Sequence, residues 1–504
     1  MGDINFNDFL LSENSSFSMV TKQIDDLAKI KDDFSERICN EIKRYYEEWD
    51  QKLRDKYSGG YNGYKLYGKR EVTTITEWGH VTYQRTLFKY YDPNKLNKNG
   101  KYGGNRFVFL LDAEMGRKPY QRIHFDLYIK VLKELDSGKR YQDIIDKYKD
   151  SKITPMTVSN IFRSIDLAEI NENFKHTALH NKIKADSKYV YLGLDDTFTK
   201  IFKRHKKIDK NMVRLAYLHT GIDWQKSTKK RHFLQNKRLL TVMSKNVNLK
   251  IKEYRQLLKE FINNNYDLTE KSLIVMGDGA EWIKKIADYF KSDFILDEFH
   301  LMAKVHRCFN FRRLSKDSKK VLTIEETQKK AIYQDLYAFV RKGEVDHILD
   351  YLKPFLTKEM QEVYPFLKDK KEKVKDLIQY ITTNANGIRN YQNEYYIGCQ
   401  TESQISHNVK ALKSYGAKAY SEIVFRNMLS MRMAKVNQWN PIQLIINEHI
   451  EEVKEATEYY RQNMWFHPTN ENYDYESKQG SVPILKSKER GITKLIRKVL
   501  SSKN

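Results

Sequence analysis

Apolar positions near the start of the chain follow the spacing of a helix. From position 17 to about 57 they recur every three or four residues, which predicts an amphipathic helix. The stripe consists of Val20, Ile24, Leu27, Ile30, Phe34, Ile38, Ile42 and Tyr45. A Gly/Tyr-rich stretch at 58–63 ends it. We therefore predict an N-terminal helical segment over 1–60, whose apolar stripe packs against a core or against a second copy.

A small β region is predicted next, over 61–115. Val72–Thr76 and His80–Lys89 are rich in Thr, Val and aromatic residues, which favours two strands. A Gly/Asn loop leads to a third apolar stretch at Phe107–Leu111. Helical spacing then returns from Tyr120 to Leu167, within a predicted DNA-binding region over 116–185.

The last part of that region has the form of a helix-turn-helix. Tyr141–Tyr148 predicts a short helix and Lys149–Ile153 a turn. Thr154 is a favourable N-cap, and Pro155 suits the first position of a helix Met156–Ile165. This second helix turns side chains that can contact bases and phosphates toward solvent, namely Thr157, Ser159, Asn160 and Arg163. An ordinary helical hairpin has the same pattern, so both interpretations are open.

The central part, 186–310, predicts an α/β domain. Strands are expected at Tyr189–Leu194, Val213–His219, His232–Met243, Ser272–Met276 and Asp293–Leu296. Helices are expected at Leu249–Ile262, at Ala280–Phe290 and from Phe299 onward. Three strands followed by alternating helices and strands is the order of a ribonuclease-H-like domain. The chain then predicts a helical insertion over 311–395, a last helix of this domain over 396–440, and a helical, basic tail over 441–504.

Length and charge limit the number of domains and the class of partner that the chain can have. A chain of 504 residues is too long for one core. Its 90 Lys and Arg exceed its 66 Asp and Glu, and a net charge of +24 favours nucleic acid as partner. An AT-rich genome would also enrich Lys, which weakens this argument. No apolar run reaches 18 residues and none follows Met1, so we expect a soluble intracellular protein without a membrane partner. Cys39, Cys308 and Cys399 lie far apart in the sequence, as reduced structural thiols would.

Carboxylates occur where the predicted elements end. Asp195 follows the first central strand, and Asp278 follows a later strand between two glycines. Glu402 lies in the first turn of a helix for which Thr401 is the expected N-cap and Gln404 completes a capping box. Phosphodiester chemistry uses two divalent ions held by carboxylates, which activate the nucleophile and stabilise the leaving oxygen. The pattern therefore suggests a two-metal site for cutting DNA.

Four motifs resemble those of Mutator-like insertion-sequence transposases of the ISLre type, a group that includes transposase-like proteins of integrative and conjugative elements. They are Leu194-Asp195-Asp196, Met276-Gly277-Asp278-Gly279-Ala280-Glu281-Trp282-Ile283, Asp297-Glu298-Phe299-His300-Leu301 and Thr401-Glu402-Ser403-Gln404-Ile405-Ser406-His407. The resemblance extends roughly from Phe107 to Trp439. It implies a ribonuclease-H-like domain with a helical insertion in the 124 residues between Asp278 and Glu402.

The resemblance also implies an activity. Such enzymes are DDE transposases, which cleave mobile-element DNA and join it to a target. Asp195, Asp278 and Glu402 would be the catalytic ligands of two Mg²⁺ or Mn²⁺ ions. The implied partner is double-stranded DNA, both element ends and target, bound by a homodimer or larger assembly. The implied location is the bacterial cytoplasm, on the nucleoid.

Several assignments stay open on the sequence. Asp196 stands beside Asp195, so the first ligand can shift by one residue. Glu394 rivals Glu402 but lacks the motif that follows it. Asp278 can simply cap a helix. Asp297 and His300 either support the site or form a solvent-facing pair at a helix start.

The basic residues and His407 have two interpretations as well. His407 either contacts DNA or lies on a solvated helix face, and the second is favoured. Lys410 and Lys413 either hold phosphates or belong to a solvated face. Arg312 and Arg313 begin the basic insertion, and we predict that they bind DNA. Two other functions fit the same residues: a catalytically inactive DNA-binding protein of a mobile element, and a metal-dependent nuclease without strand transfer.

Overall fold

The computed structural model describes residues 16–57, 63–96, 100, 102–202, 208–228, 231–244, 250–311, 322–413 and 420–463. They divide into two compact units, one from Met1–Asp166 with Asn440–Asn504 and one from Leu167–Trp439. The protein is mixed α/β. Every helix in the described residues is too short or too polar to cross a membrane. Cys308 is buried, Cys39 and Cys399 are half-buried, and none of the three forms a disulfide bond.

The first unit begins with a helix packed on an antiparallel sheet. These elements are α1 (Ser16–Tyr57), β1 (Tyr64–Thr76), β2 (Gly79–Leu96) and β3 (Tyr102–Phe109), with strand order β1-β2-β3. Tyr46 and Leu53 of α1 join the core of this sheet. The predicted apolar stripe contributes little to that core, because Ile30, Phe34 and Tyr45 are exposed. The residues that pack on the sheet lie on a neighbouring strip of the same helix.

Short helices follow in the first unit. They are α2 (Leu110–Glu114), α3 (Phe125–Asp136), α4 (Tyr141–Lys147) and α5 (Pro155–Arg163). The Thr154 hydroxyl accepts a hydrogen bond from the Thr157 N–H (3.2 Å), so Thr154 is the N-cap of α5 as predicted. Asn160 and Arg163 are exposed, and Thr157 and Ser159 are half-buried.

The second unit contains the central sheet. Its strands are β4 (Ile183–Lys184), β5 (Tyr189–Phe202), β6 (Ile208–His219), β7 (Gly221–Thr228), β8 (Arg231–Gln235), β9 (Arg238–Ser244), β10 (Tyr266–Asp267), β11 (Ser272–Gly277), β12 (Asp293–Leu296) and β13 (Tyr420–Ser421). Its helices are α6 (Leu167–His176), α7 (Ile251–Asn265), α8 (Glu281–Phe290), α9 (Glu298–Phe309), α10 (Ile324–Arg341), α11 (Val345–Leu352), α12 (Lys358–Val363), α13 (Lys371–Thr383), α14 (Ala385–Arg389), α15 (Thr401–Asn408) and α16 (Glu422–Asn437). The chain returns to the first unit with α17 (Pro441–Asn463).

The central sheet has the strand order β12-β11-β5-β6-β9. β5, β6 and β9 are antiparallel, whereas β11 is parallel to β5 and to β12. Because side chains alternate along a strand, Val190, Leu192 and Leu194 pack on one side, with α7 and α8. Tyr191 faces the other side, where α9 and the helices that follow it form a second apolar layer.

One sequence prediction needs correction. The single strand expected at His232–Met243 is two strands, β8 and β9, because Asn236 between them adopts a left-handed conformation (φ 50°). β8 pairs with β7 outside the central sheet. The second unit begins at Leu167, before the expected boundary at 186. Helix α6 belongs to it because the Leu167 N–H donates to Asn427 Oδ1 (3.1 Å), on α16.

Candidate active site

Two carboxylates lie at the point where β11 ends beside β5. Leu194 pairs with Gly277 in the parallel register, so Asp195 and Asp278 occupy the next position of each chain. A Cβ at Gly277 would lie 2.8 Å from the Leu194 carbonyl oxygen, so only glycine allows this close approach. β5 continues past the end of β11, and Asp195 pairs with Leu215 of β6.

Asp195 and Asp196 point to opposite sides of the sheet, because successive strand residues alternate. Asp195 is 6% exposed. Asp196 is half-buried near Arg214, with 3.9 Å between its Oδ2 and Nη2. The guanidinium of Arg214 lies 4.0 Å from the ring centre of Trp282, in the motif that follows Asp278. Asp196 therefore faces the layer of α7 and α8.

On the opposite side, Asp195 meets residues from two helices. One possible ligand atom from each of Asp195, His300 and Glu402 lies within 4.8 Å of the others. His300 is on the first turn of α9, and Glu402 is on the first turn of α15. Residues that are distant in sequence thus form a compact group of two carboxylates and one imidazole.

His300 is oriented by Asp297, the buried N-cap of α9. Asp297 Oδ1 accepts the Phe299 N–H (2.9 Å), and Oδ2 lies 3.0 Å from His300 Nδ1. Because a carboxylate can only accept, Nδ1 carries the proton and Nε2 is the nitrogen left for the site. The sequence left open whether Asp297 and His300 form a solvent-facing pair. Asp297 is 1% exposed, so that interpretation does not hold for it.

Asp278 is close to this group but outside it. Its Oδ1 accepts the Ala280 N–H (3.0 Å), and its carbonyl oxygen accepts the Tyr380 hydroxyl (2.6 Å). Burial is the main cause that raises the pKa of Asp195 and of Asp196, and the negative charge of Asp278 adds to both shifts. The carboxylate is therefore near enough to act on the site through its field while it binds the turn before α8.

The helix that carries Glu402 begins differently from the prediction. The N-cap is Gln400, not Thr401, and its side chain makes no capping bond, so the expected capping box is wrong. Thr401 is fully buried, and its hydroxyl hydrogen-bonds the Tyr217 hydroxyl (3.1 Å). That contact ties the start of α15 to β6. Glu402 accepts a hydrogen bond from Lys410 Nζ (2.8 Å).

Burial and neighbouring charges alter the protonation of the group. Burial raises the pKa of Asp195 to about 7, although the His300 imidazolium lowers it. The hydrogen bond to Asp297 raises the pKa of His300, and the charges of Asp297 and Asp195 add to that effect. Asp195 therefore exchanges its proton near neutral pH, and a cation that binds there has to displace that proton.

A cavity of about 290 Å³ adjoins the group. It is lined by Asp278, Gly279, Ala280, His300, Lys304, Arg307 and Tyr380. Lys304, Arg307 and Tyr380 were not predicted from the sequence. Lys304 and Arg307 follow His300 at the spacing of one helix face, a signal that the basic composition of the region concealed.

The remaining predicted residues are more scattered. Glu394, the rival of Glu402, hydrogen-bonds Tyr189, six residues before Asp195 on β5. At about 3.3 Å per strand residue, Tyr189 is roughly 20 Å from the group. His407 is exposed on α15. Arg312, Arg313 and the side chain of Lys413 lie outside what the structure describes.

The donors of the group suit a hard divalent cation. Carboxylate oxygens are the ligands that Mg²⁺ and Mn²⁺ prefer, and a single imidazole is compatible with Mn²⁺. Asp195 and Glu402 supply oxygens at one place, and Asp278 lies close by. The arrangement therefore fits the predicted ions in chemistry, with His300 as an additional donor or a positioning group.

Comparisons with known proteins give one family and little else. No curated protein matches the chain. Among solved structures, the Drosophila P element transposase strand transfer complex matches with a TM-score of 0.31 and 10% identity, over 62% of this chain and 91% of that one. A similarity of that size determines neither the fold nor the function of this chain. The model of the uncharacterised protein family UPF0236 matches residues 21–440, so the chain belongs to that family.

Proposed function

We propose that this protein is a DDE-type DNA transposase of the ISLre kind, which cleaves mobile-element DNA and transfers the cut strand to a target. The observation that carries the proposal is the meeting of Asp195 and Glu402 within 4.8 Å, beside the strand end that bears Asp278. Asp195 is buried and Glu402 is half-buried, and carboxylates this close repel each other unless a cation or proton offsets their charge. A site for divalent ions explains why the fold assembles them.

The sheet supports a ribonuclease-H-like domain. Three antiparallel strands followed by two parallel strands, in the order β12-β11-β5-β6-β9, is the arrangement expected of that fold. The chain between α9 and α15 is mainly helical where it is described, which is consistent with an insertion between the second carboxylate and the third. This topology brings two carboxylates to one sheet edge and delivers the third from a helix.

Each residue has a distinct part in the proposed chemistry. Asp195 and Glu402 would hold the ions, and Asp278 would join them if its side chain turned from the Ala280 N–H toward the group. His300, fixed by Asp297, presents Nε2 to the same space. When bound, two divalent ions lower the pKa of water or of a 3′-hydroxyl and stabilise the leaving oxygen. Lys410 hydrogen-bonds Glu402 Oε1 and so competes with an ion for that oxygen.

DNA binding is supported by the first unit and by charge. α4 and α5, joined by a short turn, have the lengths and capping expected of a helix-turn-helix. Asn160 and Arg163 on α5 are exposed, as side chains that reach DNA must be. A net charge of +24 favours the phosphate backbone. We propose an assembly of two or more copies, since strand transfer joins two element ends to one target.

The experiment is a cleavage and joining assay. Purified protein is incubated with Mg²⁺ or Mn²⁺, labelled DNA from both flanks of its gene, and a supercoiled target plasmid. Asp278→Asn and Glu402→Gln should each abolish nicking and joining. The matched control is Glu394→Gln, which removes a carboxylate at the other end of β5 and should retain activity.

The outcomes separate the possible functions. Nicking with joined products supports a transposase. Nicking without joining under any condition identifies a nuclease, and DNA binding without nicking identifies an inactive DNA-binding protein. Cleavage that survives both Asp278→Asn and Glu402→Gln would show that these carboxylates are not the active site.

A further inference from the structure

We propose that Lys304 and Arg307 form a phosphate-binding subsite, which holds a backbone phosphate of the substrate strand beside the catalytic carboxylates. This proposal rests on the proposed function and deepens it, because it specifies which residues of the same site bind the substrate phosphate. It is carried by the cavity next to Asp278 and by the face that α9 turns toward it.

One face of α9 carries the whole subsite. His300, Lys304 and Arg307 are separated by four and three residues, so at 3.6 residues per turn they lie within an arc of about 60°. All three line the cavity. The adjacent face packs in the core through Leu301, Met302, Val305, Cys308 and Phe309. That packing fixes the helix and therefore the direction in which the cations point.

Neither cation is neutralised within the described residues. Lys304 and Arg307 form no ion pair with a described acidic side chain, although many other lysines and arginines of the chain do. Lys304 Nζ lies 4.1 Å from the ring centre of Tyr380, which holds the ammonium over the ring. The Tyr380 hydroxyl also donates a hydrogen bond to the Asp278 carbonyl oxygen (2.6 Å). Tyr380 therefore contacts both Lys304 and the backbone of Asp278.

The charges around the cavity define its occupant. One wall is cationic, and the other carries Asp278. An anion alone would be repelled by that carboxylate, and a cation alone by Lys304 and Arg307. A phosphodiester next to carboxylate-bound divalent ions satisfies both walls, since the ions meet the carboxylates and the phosphate oxygens meet the two side chains. A volume of about 290 Å³ has room for a phosphate with its neighbouring sugar.

The test compares charge-removing variants on DNA. Lys304→Met keeps the aliphatic stem against Tyr380 and removes the charge, and Arg307→Gln removes the second charge. Lys304→Arg keeps the charge and should retain most binding. The matched control is Lys259→Gln, an exposed lysine of α7 on the other side of the sheet. Affinity for a labelled duplex is measured in Ca²⁺ over a range of salt, and kcat/KM for nicking is measured in Mg²⁺.

The expected results are quantitative. Removing both charges should lower the slope of log affinity against log salt by about 0.9, because the one phosphate contact that they share is lost. kcat/KM should fall on the order of 10- to 100-fold per cation, the size of a hydrogen bond to a charged group. A scan with single methylphosphonate linkages should find one position at which neutralising the phosphate weakens the wild type but not the double variant.

The two proposals fail differently. If the wild type nicks DNA while the double variant keeps its salt slope and kcat/KM, the subsite is refuted and the transposase proposal stands. If the wild type binds DNA but never nicks it, the proposed function falls, and the salt slopes still decide the subsite. A wild type that binds no DNA overturns both.

Discussion

Gly193 of β5 has no room for a side chain. Adding one there should displace the start of α15, the helix that carries Glu402. A Cβ at this position would lie 2.0 to 2.4 Å from three atoms of the Tyr217 ring and hydroxyl. Tyr217 is fully buried, so its ring has no free space to enter. Its hydroxyl holds Thr401, the residue before Glu402. Gly193→Ala should therefore displace both Tyr217 and the start of α15.

The magnitude follows from three contributions. Overpacking of a core costs about 1–3 kcal/mol. Loss of the Tyr217–Thr401 hydrogen bond adds about 1 kcal/mol. Alanine restricts the unfolded chain more than glycine and returns about 0.5–1 kcal/mol. The free energy of unfolding should fall by about 1–3.5 kcal/mol in Gly193→Ala, and by about 1 kcal/mol in Tyr217→Phe, which loses the hydrogen bond alone.

Urea titration followed by circular dichroism measures the stability, and calorimetry with Mn²⁺ measures the site. Gly193→Ala should bind Mn²⁺ more weakly than the wild type. Gly68→Ala is the control, since a Cβ there meets nothing within 4 Å. If Gly193→Ala matches Gly68→Ala in stability and the wild type in Mn²⁺ affinity, the contact between β5, Tyr217 and α15 is refuted.

Three further predictions concern the ion site. Because burial raises the pKa of Asp195 to about 7, Asp195 carries a proton below that pH. Mn²⁺ affinity, measured by calorimetry, should therefore fall about tenfold per pH unit for each displaced proton as the pH drops below 7. An affinity that does not change with pH would contradict this. Asp297→Asn removes the carboxylate that orients His300 and should weaken Mn²⁺ binding roughly 10- to 100-fold. Asp293→Asn, which changes an exposed residue of β12, is the control and should not weaken it. Equal Mn²⁺ affinities of the two variants would show that His300 acts without Asp297. Lys410→Met removes the hydrogen bond to Glu402 and should raise Mn²⁺ affinity by up to about fivefold, which corresponds to the free energy of an exposed ion pair. A lower Mn²⁺ affinity would mean that Lys410 holds Glu402 in place.

The central strands were predictable because their apolar runs are short and bounded. Ser272–Met276 and Asp293–Leu296 end at glycine or at a helix cap, which marks them clearly in sequence. β7 was missed because Ile222 is its one buried residue, so no alternation distinguishes it from a loop. The end of β5 beyond Asp196 was missed because its polar residues conceal the strand, which continues through pairing with β6 and, at Ile201 and Phe202, with β13.

The candidate site was predictable in its residues and less so in its contacts. The pairing of Asp297 with His300 follows from helical spacing, a local property. The buried Thr401 hydroxyl binds Tyr217, 184 residues away, and no local pattern shows that this contact replaces a cap. The approach of His300 to Asp195 likewise depends on how α9 packs on the sheet. Cation contacts on α9 were concealed because basic residues are frequent throughout the chain.

Replacing Asp195 with cysteine tests the central claim most directly, that this carboxylate binds a catalytic ion. A thiolate binds Mn²⁺ better than Mg²⁺, because Mg²⁺ requires hard oxygen ligands. Nicking of end DNA by Asp195→Cys should be lost in Mg²⁺ and recovered in part in Mn²⁺. Full nicking in Mg²⁺, or the same loss in both metals by a variant that still binds DNA, would contradict the assignment.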